Sequence, residues 1–228
     1  MTTRERLESI WPQFGLRITG DGIDLRIPDD DDLVALAELA VGGVHDPGFM
    51  PFSVPWTRAE PLALERGVLA HGWAMRQNMT ASKWVLPFVV LHEGTIAGVQ
   101  DIRADEFSIR RTVSTGSWLG IEFHGKGIGT KMRTAVLQLA FEGLDAQWAE
   151  SGSRIGNPSS ARVSEKVGYR ADGLQIQAIG GEQAVMERWR MTADQWFERV
   201  GERPRFEVTG VEACRPLLIG TPQTSSLE

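Results

Sequence analysis

Three glycines, Gly125, Gly127 and Gly129, alternate with other residues between a strand-like run ending near Phe123 and an apolar stripe at helical spacing. Glycine lets a backbone turn through positive φ and approach a ligand closely. The first N–H groups of a helix have no partner within it and stand at the positive end of its dipole. Together these features make an anion cradle, for which phosphate is the natural guest. Two phosphate loops fail on this spacing. A nucleoside triphosphate loop of the G-x-x-x-x-G-K type needs Ser or Thr after the lysine to hold magnesium, and here Gly120, Gly125 and Lys126 are followed by Gly127. A dinucleotide fingerprint needs Gly or Ala three residues after its second glycine, and Gly127-Ile128-Gly129 runs through Thr130 and Lys131 into Met132.

The elements that must position this loop are legible on both sides. Ile128, Met132, Ala135, Val136, Leu139 and Ala140 form one continuous stripe, so the loop opens a helix. Upstream, Leu16 to Ile18 and Ile23 to Ile27 read as a hairpin about Gly20-Asp21-Gly22. Leu33, Leu36, Ala37 and Ala40 mark a helix stopped by Gly42-Gly43, and the acidic run Asp29 to Asp32 is its N-cap and dipole complement. A loop with several prolines follows, then a second helix from about Arg58 to Met79. Trp84 to Leu91 and Thr95 to Ile102 pair across His92-Glu93-Gly94, with Pro87 arguing against pairing on both sides, and a third strand runs from Thr112 to Phe123. Downstream come a short strand from Gln147 to Ser151 and a helix from Ser159 to Val167 ended by Gly168. A hairpin of Tyr169 to Ile179 with Gln183 to Met191, a helix near Ala193 to Val200 and a strand-like Arg205 to Val211 complete the pattern.

Composition narrows the partners. The 228 residues give room for one domain with appendages, and a net charge of −6 argues against a nucleic acid, whose affinity needs clustered Lys and Arg. No apolar stretch approaches a membrane span, no signal peptide is visible, and the single Cys214 fits a reducing compartment, so the expected location is the cytoplasm. That cysteine is too isolated for a metal site.

Read as R/Q-x-x-G-x-G/A, the segment from His124 to Gly129 resembles the pyrophosphate loop of the GNAT acyltransferases, with His124 where that family has Arg or Gln. Asn157 to Tyr169, with Ser160, Glu165, Lys166 and Gly168, resembles the N-x-x-S…E-K-x-G-F/Y stretch of the RimJ/RimL-like branch. The resemblance covers about Leu16 to Met191 and implies an α/β (α+β) fold: a mixed, mostly antiparallel sheet flanked by helices and splayed between its fourth and fifth strands. It implies acetyl-CoA or succinyl-CoA as acyl donor and no metal, with the cofactor against Leu119, Ile121, Phe123, His124, Gly125, Lys126, Gly127, Ile128, Gly129, Thr130, Asn157, Ser160 and Ser164. The expected organisation is an N-terminal extension at 1–14, the acyltransferase domain at 15–192, a C-terminal extension packed on it at 193–223, and a tail or cloning scar at 224–228.

An amine attacking a thioester needs a held donor, an N–H for the developing oxyanion, a route for its own proton and a proton for the leaving thiolate. Backbone N–H groups of Leu119 to Phe123 are candidates for the second role. Enzymes of the resembled branch use the serine of N-x-x-S as the acid, which is Ser160 here; Ser164 stands one helical turn on, where many relatives carry Tyr. Leu174 to Ile179 holds no carboxylate, so the base is Glu122, nearest in sequence, or a water chain. Phe49, Met50, Phe52, Trp56 and Arg58, with Trp118, either line the acceptor pocket or cover the sheet. This loop and Gly116 to Gly120 also resemble a mycobacterial GNAT protein proposed to use succinyl-CoA, whose carboxylate would want Arg58, Arg110 or Arg111. The expected acceptor is an amine-bearing small molecule or protein, with a homodimer as the expected assembly and a catalytically idle acyl-CoA sensor as the rival reading.

Overall fold

A tight turn at Asp21-Gly22, both at positive φ, folds β1 (Arg17–Gly20) back on β2 (Ile23–Arg26). The computed structural model describes residues 1–77 and 79–220 and extends this hairpin into one sheet. β3 (Lys83–His92), β4 (Thr95–Asp105) and β5 (Thr112–Leu119) form a meander, followed by β6 (Trp148–Arg154), β7 (Arg170–Ile179), β8 (Glu182–Thr192) and β9 (Glu207–Thr209). The order across the sheet is β7-β8-β6-β5-β4-β3-β2-β1-β9, and β5–β6 is the parallel pair among antiparallel neighbours.

That parallel pair decides where a ligand can enter. Its register joins Thr112 to Trp148, Val113 to Ala149 and Ser114 to Glu150, and ends there. Beyond it β5 stays paired to β4 as far as Leu119, while β6 stays paired to β8 as far as Arg154. Each strand is held on its outer edge and released on its inner one, so the two diverge. This is the expected splay between the fourth and fifth strands when the N-terminal hairpin is counted as one.

The helices are α1 (Thr3–Ile10), α2 (Asp30–Val41), α3 (Pro61–Gln77), α4 (Phe107–Arg110), α5 (Ile128–Gln138), α6 (Pro158–Val167), α7 (Ala193–Glu198) and α8 (Val211–Ile219). Strand alternation sorts them. Val89, Leu91, Val99 and Trp118 face α2 and α3 through Leu33, Leu36 and Val68. Leu86, Phe88, Ile102 and Val113 face the opposite way, onto Ile128, Met132, Ala135 and Val136 of α5. Each such fully buried side chain stabilises the fold by about 1.5–3 kcal/mol relative to exposure.

Local chemistry explains most boundaries. Asp29 caps α2 and Asp32 closes the capping box, as the acidic run predicts, and the Arg26 guanidinium forks onto Asp32. Pro87 pairs with Asp101 on one side only, because β2 reaches no further than Val89. The third strand of the meander stops at Leu119 rather than Phe123: Gly120 breaks it, and Ile121–Phe123 winds into a 3-10 turn. α1 and α8 do not appear in the sequence reading. α1 is held by a capping box between Thr2 and Glu5 but buries none of its residues, so it has no apolar stripe to see. α8 follows β9 and drives Cys214 and Leu218 into the core, where the Leu218 carbonyl accepts from the Trp84 indole at 2.8 Å. The expected tail at 224–228 lies outside the described residues.

Candidate active site

The glycine loop has the geometry its composition predicts. Gly125 and Gly127 sit at φ 74° and 80°, and Gly127 is the N-cap of α5, its carbonyl accepting from the N–H groups of Thr130 and Lys131. A Cβ built on either glycine would meet no atom within 4 Å, so the space over the helix N-terminus is open. Gly129 serves a different purpose: a Cβ there would stand 3.4 Å from Val163 Cγ2, where α6 packs on α5. His124 turns back, its Nε2 lying 3.1 Å from the Leu119 carbonyl, and so ties the loop to the end of β5. Lys131 is anchored to the β1–β2 turn through the Asp21 carbonyl at 2.8 Å and its carboxylate at 3.3 Å.

From the loop a cleft of about 1510 Å³ runs through the β5–β6 split to the α2–α3 face. Leu119, Phe123, His124, Gly125, Gly127, Ile128, Gly129 and Thr130 line its entrance, and Asn157 and Ser160 its facing wall. Ile121, Glu122 and Lys126 do not line it. The 3-10 turn after Gly120 sends Phe123 inward and leaves Ile121 and Glu122 exposed, while the Lys126 ammonium lies 5.4 Å from the Phe123 ring centroid. Glu122 therefore stands exposed, outside the cleft lining.

α6 separates the two serines that spacing placed together. Asn157 caps the helix, its Oδ1 accepting from the Ser160 N–H at 3.2 Å, and Pro158 takes the first helical position. Ser160 is thus not the cap; it lines the cleft, and its hydroxyl has no hydrogen-bond partner among the described residues. Ser164 is fully buried one turn further in, outside the cleft lining, with its Oγ unpartnered. Of the two serines only Ser160 lines the cleft, because Ser164 turns toward the sheet core.

On the other face, Phe49, Phe52, Trp56 and Trp118 line the cleft. Phe52 and Trp56 ring centroids lie 5.3 Å apart and Trp56 and Trp118 5.7 Å, so the proline-stiffened loop is pinned to β5 through aromatic packing. Arg154 holds the same loop from β6 by donating to the Met50 carbonyl at 3.1 Å. Met50 itself is buried beneath the wall rather than lining it. Arg58 is exposed on a 3-10 turn outside the lining, and Arg110 and Arg111 stand before the first residue of β5. Strand rise puts Arg111 roughly 25 Å from Leu119, at the wrong end for a donor pocket. There it donates to the Leu144 carbonyl at 3.5 Å.

The structure adds charged residues that sequence spacing does not assemble. Asp101 receives a fork from Arg103 at 3.0 and 2.6 Å and the Gly116 N–H at 3.0 Å. Glu150 pairs with Arg190 at 3.2 Å, and Asp172 with both Arg188 and Arg190 at 2.7 and 3.0 Å. Arg133, on α5, reaches from beneath into the split: it donates to Ser151 Oγ at 2.9 Å, Ser117 Oγ at 3.3 Å and Gln100 Oε1 at 3.4 Å. Tyr169 is buried beside it, and desolvation pushes its phenol above its ordinary range, so it stays neutral.

Residues 23–170 match the family model for the acetyltransferase (GNAT) domain. The chain belongs to the GNAT acetyltransferase family. Over 84 residues it is 29% identical to the "Putative ribosomal N-acetyltransferase YdaF" of Bacillus subtilis (strain 168), a match spanning 37% of this chain and 45% of that protein. The crystal structure of a "putative acetyltransferase" from T. thermophilus superimposes with a TM-score of 0.67 at 18% identity, covering 86% of this chain and 95% of the other. RimL, described as a ribosomal L7/L12 alpha-N-protein acetyltransferase in complex with coenzyme A, gives 0.59 at 17%, covering 77% and 97%. At these identities the structures establish the GNAT fold. Among the described residues no helix is long and apolar enough to cross a membrane, and no three His, Cys, Asp or Glu side chains gather as metal ligands. The open cradle at Gly125 and Gly127, which a Cβ would fill, fits the pyrophosphate of coenzyme A.

Proposed function

We propose that this GNAT protein is an N-acyltransferase that moves an acetyl or succinyl group from coenzyme A to a primary amine, by direct attack while both are bound. The observation that carries this reading is the alignment of one path: a glycine-capped helix N-terminus opens onto a split where β5 loses its partner after Ser114. The loop N–H groups hold the pyrophosphate, and the free edge of β5 accepts the amide-bearing arm much as it would an added strand. Acyl-coenzyme A, when bound, would supply the activated thioester. The amine arrives through the part of the cleft walled by Phe52, Trp56 and Trp118. Its nitrogen bonds to the acyl carbon as the carbon–sulfur bond breaks; the excess amine proton leaves through water, and Ser160 gives its hydroxyl proton to the departing sulfur and regains one from solvent.

Water is the proton route because each cleft carboxylate on the sheet, Asp101 on β4, Glu150 on β6 and Asp172 on β7, is already bound to arginine. The same pairing supports a second reading, an acyl-CoA-binding module that turns nothing over. The YdaF likeness supports a protein amine as one acceptor class, and the reducing, membrane-free character of the sequence supports action in the cytoplasm. Thiol release from acetyl-CoA and succinyl-CoA across a panel of amines, with Ser160→Ala beside the parent, separates the readings. The acyltransferase reading expects amine-dependent release that falls about 10²-fold or more in Ser160→Ala. Tight coenzyme binding without release from either donor supports the sensor; release untouched by Ser160→Ala removes serine as the acid.

A further inference from the structure

Arg133 is an arginine out of balance. Its residue is 4% exposed, yet it lines the cleft and forms no ion pair within salt-bridge distance among the described residues. Its three side-chain partners, Gln100, Ser117 and Ser151, are neutral. The Tyr169 phenol beside it is neutral too. The surrounding carboxylates are matched elsewhere: Asp101 by Arg103, Glu150 by Arg190, Asp172 by Arg188 and Arg190. A buried cation without an anion is costly, and a guanidinium fork is shaped for two carboxylate oxygens.

Its position says which anion. Ser117 on β5 lies three residues, and Ser151 on β6 one residue, past the last pair of the parallel ladder, so the guanidinium bridges the two strands where they part. It comes from the α5 face, the side of the glycine cradle, whereas the aromatic wall is on the α2–α3 face. A group entering along β5 from the cradle therefore meets Arg133 at its inner end, and a group entering past the aromatic wall meets it last. Gln100 is fixed by donating to the carbonyls of Asp101 and Gly116, both at 2.9 Å, so the neutral partners hold the fork rigid.

We propose that Arg133 recognises a free carboxylate at the far end of the acyl chain, so that the split selects a short dicarboxylic monoacyl thioester over acetyl-CoA. This rests on the acyl-CoA reading of the cleft and adds the donor class to it. A carboxylate there supplies the missing charge. An acetyl group ends in a methyl, which leaves the guanidinium buried with neutral partners alone.

The test is equilibrium binding, measured by calorimetry on the wild-type protein with succinyl-CoA, its terminal-amide analogue and acetyl-CoA. The amide has nearly the same size and no charge. Succinyl-CoA is expected to bind at least about tenfold more tightly than the amide, the usual scale for a hydrogen bond to a charged group. Arg133→Met brings that ratio close to one, and Arg133→Lys, which keeps the charge but loses the fork, falls between. Should Arg133→Met fail to fold, the wild-type comparison decides alone. Equal affinity for succinyl-CoA and the amide overturns the proposal, as does a preference that survives in a folded Arg133→Met. Amine-dependent turnover of acetyl-CoA without discrimination would sink Arg133's role and leave the acyltransferase standing. Discrimination in binding without turnover of any donor would do the reverse, and a protein that binds no acyl-CoA loses both.

Discussion

Replacing Gly127 by alanine separates stability from ligand binding. At φ 80° an L-residue occupies the left-handed region, which costs about 1–2 kcal/mol, and no clash adds to it because nothing lies within 4 Å of the new Cβ. For a domain of this size each kcal/mol lowers Tm by about 2–4 °C. The methyl group, however, fills the space over the first free N–H groups of α5. Loss of two charge-assisted hydrogen bonds to the pyrophosphate, about 1.5–3 kcal/mol each, weakens coenzyme A by about 10²-fold or more. Gly181→Ala is a matched control: φ is 85°, no neighbour lies within 4 Å, and it sits in the β7–β8 turn. Thermal unfolding and calorimetric titration with coenzyme A are the assays. Both variants lose a similar few degrees, and Gly127→Ala alone loses affinity. If Gly127→Ala binds coenzyme A as the parent does, the loop is not the cradle and the reasoning fails.

Ser164→Ala removes a buried hydroxyl with no partner, so it stabilises the fold by about 1 kcal/mol in denaturant unfolding and leaves thiol release intact; a loss of turnover would move the acid from Ser160 to Ser164. Glu122→Gln changes an exposed side chain outside the cleft, so thiol-release rates and their pH profile stay as in the parent. Burial pushes the Cys214 thiol from 9.0 up to about 12. Between those values the unfolded chain binds fewer protons than the folded one, so stability is intact at neutral pH and falls as pH rises, at up to about 1.4 kcal/mol per unit. Cys214→Ala should flatten that slope below pH 10 in urea titrations, before the raised Tyr169 phenol adds its own, of the same sign.

What the sequence makes legible is what depends on local geometry. The glycine cradle follows from turn chemistry and the strand split from the family resemblance, and the structure places both as expected; the Asn157 cap emerges only from the structure. Residues whose roles depend on strand length or on the third dimension are misplaced. Arg111 is one residue from β5 in sequence, but β5 is eight residues long and carries the site at its other end. Ser160 and Ser164 share a helical face, yet only Ser160 lines the cleft while Ser164 is fully buried. Arg133 sits beside the apolar stripe of α5, where periodicity alone marks a solvated flank. Only the divergence of β5 and β6 makes room for its guanidinium under the sheet. Pro216 inside α8 and the absence of a buried face on α1 hide those helices for the same kind of reason.

The central claim is direct transfer from a held acyl-CoA to an amine, and stoichiometry under single-turnover conditions tests it most directly. The protein is mixed with limiting acyl-CoA with and without amine, and intact protein, amine product and free thiol are followed by mass spectrometry. The account predicts one acylated amine for each thiol released, and unmodified protein in both arms. Thiol release without amine, or an acyl adduct on the protein that the amine then discharges, would contradict it.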